Sequence, residues 1–151
     1  MKKYTLLYVT FFVLVLLLAA CSDSTITARD VRAVLEKEGL EVTQITVGTP
    51  APIDVNGDNP SVFKIGLPTA SMENPEYVFV QTFDSTEARE QFDKSDGNSL
   101  PKFEGSFPHM RQKKNVIVIY WSHDKQKPLL MKQFSNAMDK LSCRFWNCSI
   151  Y

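Results

Sequence analysis

His123 and Asp124 follow the apolar run from Val116 to Trp121 after a single serine. The C-terminal end of a buried strand is a common place for catalytic groups, and an imidazole beside a carboxylate can take and return a proton near neutral pH. Such work needs a second titratable partner or a nucleophile, and Ser122 and His109 are the nearest candidates. Neither belongs to a recognisable motif: the chain has no GxSxG, no HExxH and no glycine-rich phosphate loop. The competing reading is a polar strand end that caps the following helix.

Asp54, Asn56 and Asp58 in DVNGDN echo positions 1, 3 and 5 of a calcium loop, where alternate oxygens converge on one hard cation. The match ends there. Asn59 stands where glycine is wanted, Pro60 follows, and Ile65 occupies the position of the bidentate carboxylate. A turn at Asn56-Gly57 accounts for the same residues, and no metal or other cofactor is expected. Arg111, Lys113 and Lys114, with Lys125, Lys127 and Lys132 further on, could present a basic surface to an anionic partner, or simply a solvated one. Without an aromatic ladder they do not point to nucleic acid. Tyr120, Trp121, Phe145, Trp146 and Tyr151 read as core and C-terminal docking, with an aromatic ligand cleft as the alternative.

The elements that position these residues begin with Met1 to Cys21. Lys2 and Lys3 precede an uncharged, mostly apolar run from Tyr4 to Leu18, the layout of a secretory signal peptide. As a helix that run would span about 22 Å, short of a hydrocarbon core about 30 Å thick. It ends in Leu18, Ala19, Ala20 and Cys21, which resembles the lipobox of bacterial lipoproteins. That resemblance implies cleavage after residue 20, a diacylglyceryl group on the Cys21 thiol, and in many members an N-acyl chain as well. Two or three chains hold a protein on a bilayer where one holds only marginally. The expected location is the extracytoplasmic side of the cell membrane. Ser22 resembles residues that permit sorting to an outer membrane, should the host have one.

Removing Lys2 and Lys3 leaves 15 basic against 17 acidic residues, which indicates no polyionic partner overall. The halves differ, however. Cys21 to Leu100 carries 14 acidic and six basic residues, and Pro101 to Tyr151 carries three acidic and nine basic. Either the basic half meets an anionic surface or the two halves cancel against each other in the fold. With Cys21 acylated, Cys143 and Cys148 remain as a pair in a compartment that tolerates disulfides. Their spacing is too wide for a thioredoxin-like CxxC. A bridge would close a short loop, worth about 2 kcal/mol in chain entropy; free thiols, or a redox or metal role, are the other readings.

Residues 21–26 form a short tether and residues 27–151 one globular domain, long enough for a single core. Thr27 with Asp30 predicts a helix start, Val31, Val34 and Leu35 its apolar face, and Gly39 its stop. Leu40 to Val47 predicts a strand whose alternation slips near Gln44, as a bulge would allow. Phe63, Ile65 and Leu67 mark a second strand. Tyr77 to Phe83, apolar on both faces, marks a central third. Asp84 and Glu87 predict the cap of a helix through Lys94. Ser95 to Lys114 is long for a loop, so it is functional or hides a strand. Val116 to Trp121 is a buried strand, and Leu130, Phe134, Ala137 and Leu141 define a last helix.

The expected fold is α+β, in the order α-β-β-β-α-β-α, with helices on one face of a mainly antiparallel sheet of about four strands. A right-handed crossover could place the strands at Tyr77 and Trp121 parallel. NGDNPSVFKI, YVFVQTFDSTEAREQF and NVIVIYW resemble small lipoproteins of spore-forming Gram-positive bacteria, a likeness that implies this fold class and no known activity. The expected function is a membrane-anchored, non-enzymatic binding module of the cell envelope, partnered by the membrane and by an envelope protein or anionic polymer. An envelope hydrolase using His123 with Asp124 or His109, and a small-molecule carrier, are the alternatives.

Overall fold

Thr27 starts the first helix, α1 (Ala28–Lys37), through a reciprocal pair of bonds. Its hydroxyl accepts from the Asp30 N–H at 3.3 Å, and its own N–H donates to Asp30 Oδ2 at 2.9 Å. Two donors that a helix start leaves unpaired are thereby satisfied. At the other end Gly39 adopts φ 80°, and the Gly39 and Leu40 N–H groups turn back to the carbonyls of Glu36 and Leu35. A left-handed residue is needed for that closure, which is why glycine ends the helix.

The computed structural model describes residues 25–45, 60–68, 75–95 and 105–141. After α1 come β1 (Glu41–Ile45), β2 (Ser61–Gly66), β3 (Glu76–Thr82), α2 (Thr86–Ser95), β4 (Phe107–Lys113), β5 (Val116–Ser122) and α3 (Met131–Lys140). The five strands form one sheet in the order β1-β2-β3-β5-β4, and every neighbouring pair is antiparallel. The fold is α+β with one strand more than expected. β4 is the strand that the long stretch Ser95 to Lys114 is expected to hide if it is not a functional loop, and its hairpin with β5 reverses the chain, so β3 and β5 run antiparallel and not parallel. The segment read as a signal peptide with Cys21, the Asp54 to Asn59 stretch, and Cys143, Cys148, Phe145, Trp146 and Tyr151 lie outside the described residues. No helix among the described residues is long and apolar enough to cross a membrane.

Alternation along each strand sorts side chains to two faces. Val42, Phe63, Ile65, Val78, Val80, Val116, Val118 and Tyr120 share one core with Val31 and Leu35 of α1 and Phe134, Ala137 and Met138 of α3. Val62, Phe79, Ile117, Ile119 and Trp121 form the second, on the opposite face, and α2 adds Phe92 to it. Two of the three helices thus cover one face while α2 touches the other. The slip in β1 has a similar cause. Its register with β2 is unbroken, without a bulge: Val42 packs in the first core and Ile45 against the second.

Candidate functional site

β5 carries its polar groups at both ends. At its C-terminal end Tyr120 and Ser122 point to the α1/α3 face, and both are fully buried. Glu76, at the start of β3, is 5% exposed. A buried carboxyl needs hydrogen-bond donors: Tyr120 Oη donates to its Oε2, and the His123 N–H to its Oε1 at 3.3 Å. The same phenol accepts from the Leu130 N–H at 3.1 Å, just before α3 begins. Burial, and then the bond to Glu76, push the Tyr120 hydroxyl well above its ordinary pKa, so it serves as a fixed donor.

His109 on β4 lies opposite Tyr120, with ring centroids 5.6 Å apart. Its Nε2 is 3.0 Å from Ser122 Oγ. The serine proton is already directed to the Asp124 carbonyl at 2.8 Å, so the imidazole is the donor of the pair and Nε2 carries the hydrogen. Burial first, and the charge of Arg111 second, hold His109 below its ordinary pKa, while Glu76 opposes them. His123 turns its Nε2 to the Pro75 carbonyl at 3.2 Å. Asp124 Oδ1 accepts from the N–H groups of Gln126 at 2.8 Å and Lys127 at 3.0 Å. Those backbone donors lower the Asp124 pKa.

This arrangement holds a chain corner. A serine nucleophile must hand its proton to the imidazole, whereas Ser122 gives its proton to a carbonyl and is closed to solvent. His123 and Asp124 are adjacent in sequence, yet their bonds go to different segments. His109 and Ser122 are brought together; His123 and Asp124 are not joined as an acid–base pair. Among the described residues no group of three or more His, Cys, Asp or Glu side chains is placed to hold a metal ion.

The other end of β5 is the hairpin turn Lys114-Asn115, with Lys114 at φ 45°. Asn115 is 3% exposed. Its Oδ1 accepts from the Ile26 N–H at 2.7 Å, and its Nδ2 donates to the carbonyls of Ile26 at 3.1 Å and Phe83 at 2.9 Å. One amide therefore ties the chain just before α1 to the β3–α2 corner. Arg89 of α2 holds the same hairpin, with Nε 2.5 Å from the Lys114 carbonyl and Nη1 2.8 Å from Gln112 Oε1. The helix itself is capped by Ser85, whose hydroxyl accepts from the Ala88 N–H at 3.1 Å, one residue later than the expected Asp84. Thr25, Asp84, Ser85, Thr86, Glu87, Lys114 and Asn115 line a cleft of about 190 Å³ here.

Arg111, Lys113, Lys114, His123 and Asp124 do not make one surface. Lys113 and Lys114 sit at the hairpin turn and His123 and Asp124 past the far end of β5, a separation of about 20 Å at the usual rise per residue. Arg111 lies between, on β4. Sequence reasoning missed Asn115 and Glu76 altogether. Asn115 reads as an ordinary turn residue, and Glu76 as the polar edge of a strand. No family model matches this chain, and no characterised protein or solved structure matches it either.

Proposed function

We propose that the protein is a lipoprotein of the cell envelope, acylated at Cys21 and held on the extracytoplasmic side of the membrane, whose domain acts as a non-enzymatic binding module. The observation that carries this reading is the Asn115 clamp. Ile26, five residues after Cys21, is bonded through both its N–H and its C=O, so the anchor would join a folded domain almost without a linker. A module so placed works on partners close to its own bilayer, an envelope protein or an anionic envelope polymer. The polar groups at the end of β5 favour binding over hydrolysis, because Ser122 and Asp124 are both engaged by the local backbone.

The test is recovery of partners from cross-linked native membranes with the acylated protein as bait and Cys21→Ala as control. A discrete partner captured only by the acylated form is the expected result. Full biological activity of a soluble secreted form would overturn the reading. Among the described residues, the contact of His109 with Ser122 is the feature favouring a hydrolase. His109→Ala with His123→Ala should leave the phenotype intact if binding is the function, and abolish it if hydrolysis is.

A further inference from the structure

We propose that the β4–β5 hairpin end of the domain faces the bilayer and that the Glu76–His123 end is the one presented to the surroundings. This rests on the reading of Cys21 as the acylated residue. From Cys21 to Thr25 the chain takes four steps, a reach of about 14 Å when fully extended. Thr25 lines the cleft beside Lys114 and the first turn of α2, and Ile26 is fixed to Asn115 in the same corner. The anchor therefore cannot lie far from the hairpin turn. Ser122 stands at the other end of a seven-residue strand, about 20 Å further on.

The chemistry of the two ends suits that orientation. The hairpin end carries Lys113 and Lys114, both half-buried, with Asp84 and Glu87 lining the same cleft as Lys114. Its charge is mixed, so the tether and not a basic patch sets the orientation. At the far end Phe107 is 37% exposed, Leu129 66% exposed, and Lys125, Gln126 and Lys127 are exposed beside them in sequence. Those are the two large apolar side chains that the described residues leave open to solvent, and they lie on the half of the domain that a partner can reach.

A photo-crosslinking amino acid placed at Lys113 or at Gln126 of the full acylated chain tests this in vesicles of phosphatidylethanolamine and phosphatidylglycerol. Lipid adducts are read by mass spectrometry, and the mass of the N-terminal peptide reports acylation in the same sample. Several-fold more adduct from position 113 than from position 126 is expected. Equal or inverted yields in acylated protein would overturn the orientation, whereas an unacylated N-terminal peptide would overturn the anchor itself. Ten glycine and serine residues inserted after Ser22 should bring the two yields together, since this change leaves the domain untouched. A ratio unmoved by that insertion would overturn the tether as its cause.

Discussion

The two ends of β5 each bury a polar side chain, and they do it by different chemistry. At the hairpin, Asn115 satisfies three backbone groups with one neutral amide. At the other end, Glu76 is held by a phenol and a backbone N–H, beside an imidazole that stacks on the phenol. An amide does not titrate, so the contacts Asn115 makes are indifferent to pH. The second has an imidazole, His109, packed beside the phenol, and burial holds that imidazole below its ordinary pKa. Between pH 7 and pH 5 the end that joins the proposed anchor is thus the constant one, and the far end, with His109, is the adjustable one.

The largest expected effect comes from breaking the constant end. Asn115→Ala leaves the Ile26 N–H and two carbonyls without a protein partner in a buried corner, and should cost about 3 kcal/mol, seen as a lower urea midpoint with an unchanged slope. Asn115→Asp keeps the shape but sets carboxylate oxygens against the carbonyls of Ile26 and Phe83, and should be no better. A loss below about 0.5 kcal/mol for either would show that the clamp does not hold the corner.

Tyr120→Phe should come next, at about 2 kcal/mol. It removes the donor to Glu76 and the acceptor for Leu130, while the ring still packs on Phe134. Adding Glu76→Leu to that background should restore part of the loss, because the buried carboxyl no longer lacks its partner. A double-mutant cycle in urea measures the coupling.

Acid should separate the ends without any mutation. His109 has a folded pKa below its ordinary value of 6.5, so the unfolded chain binds its proton more readily and stability falls as pH drops through and below that value. Urea midpoints taken from pH 7 to pH 5 should decline, and His109→Gln should flatten the decline. Asn115→Ala should shift the whole curve down without changing its slope. Asp124 acts at lower pH: its depressed pKa supports the fold above the ordinary carboxylate range, and that support is lost as pH falls through the folded value.

The smallest effect lies away from both ends. Lys140 Nζ of α3 is 2.5 Å from Glu38 Oε1 at the end of α1, with the lysine side chain 59% exposed. The Glu38 side chain is 8% exposed, but it keeps a hydrogen bond from Asn136, and solvent screens the lysine, so Lys140→Ala should cost about 1 kcal/mol and less at high salt.

Much of the fold was legible because it is local. Thr27, Asp30 and Gly39 act within one helix, and the apolar runs at Tyr77 and Val116 were long enough to mark central strands. β4 was not legible, since an edge strand with only one neighbour tolerates Pro108, Arg111 and Lys113 where a central strand would not. The α2 cap slipped by one residue because Asp84 and Ser85 both suit the role. At the candidate sites, His109, Ser122, His123 and Asp124 were visible as residue types, but their pairing was not.

The sequence by itself determined the helix boundaries that a capping residue or a glycine imposes and the alternation that divides each strand between two faces. Tertiary structure alone decided which polar groups meet. Ile26 and Asn115 are 89 positions apart, and Tyr120 and Glu76 are 44 apart. Such bonds depend on strand order and register, which arise when the whole core closes, and no local pattern of residues encodes them.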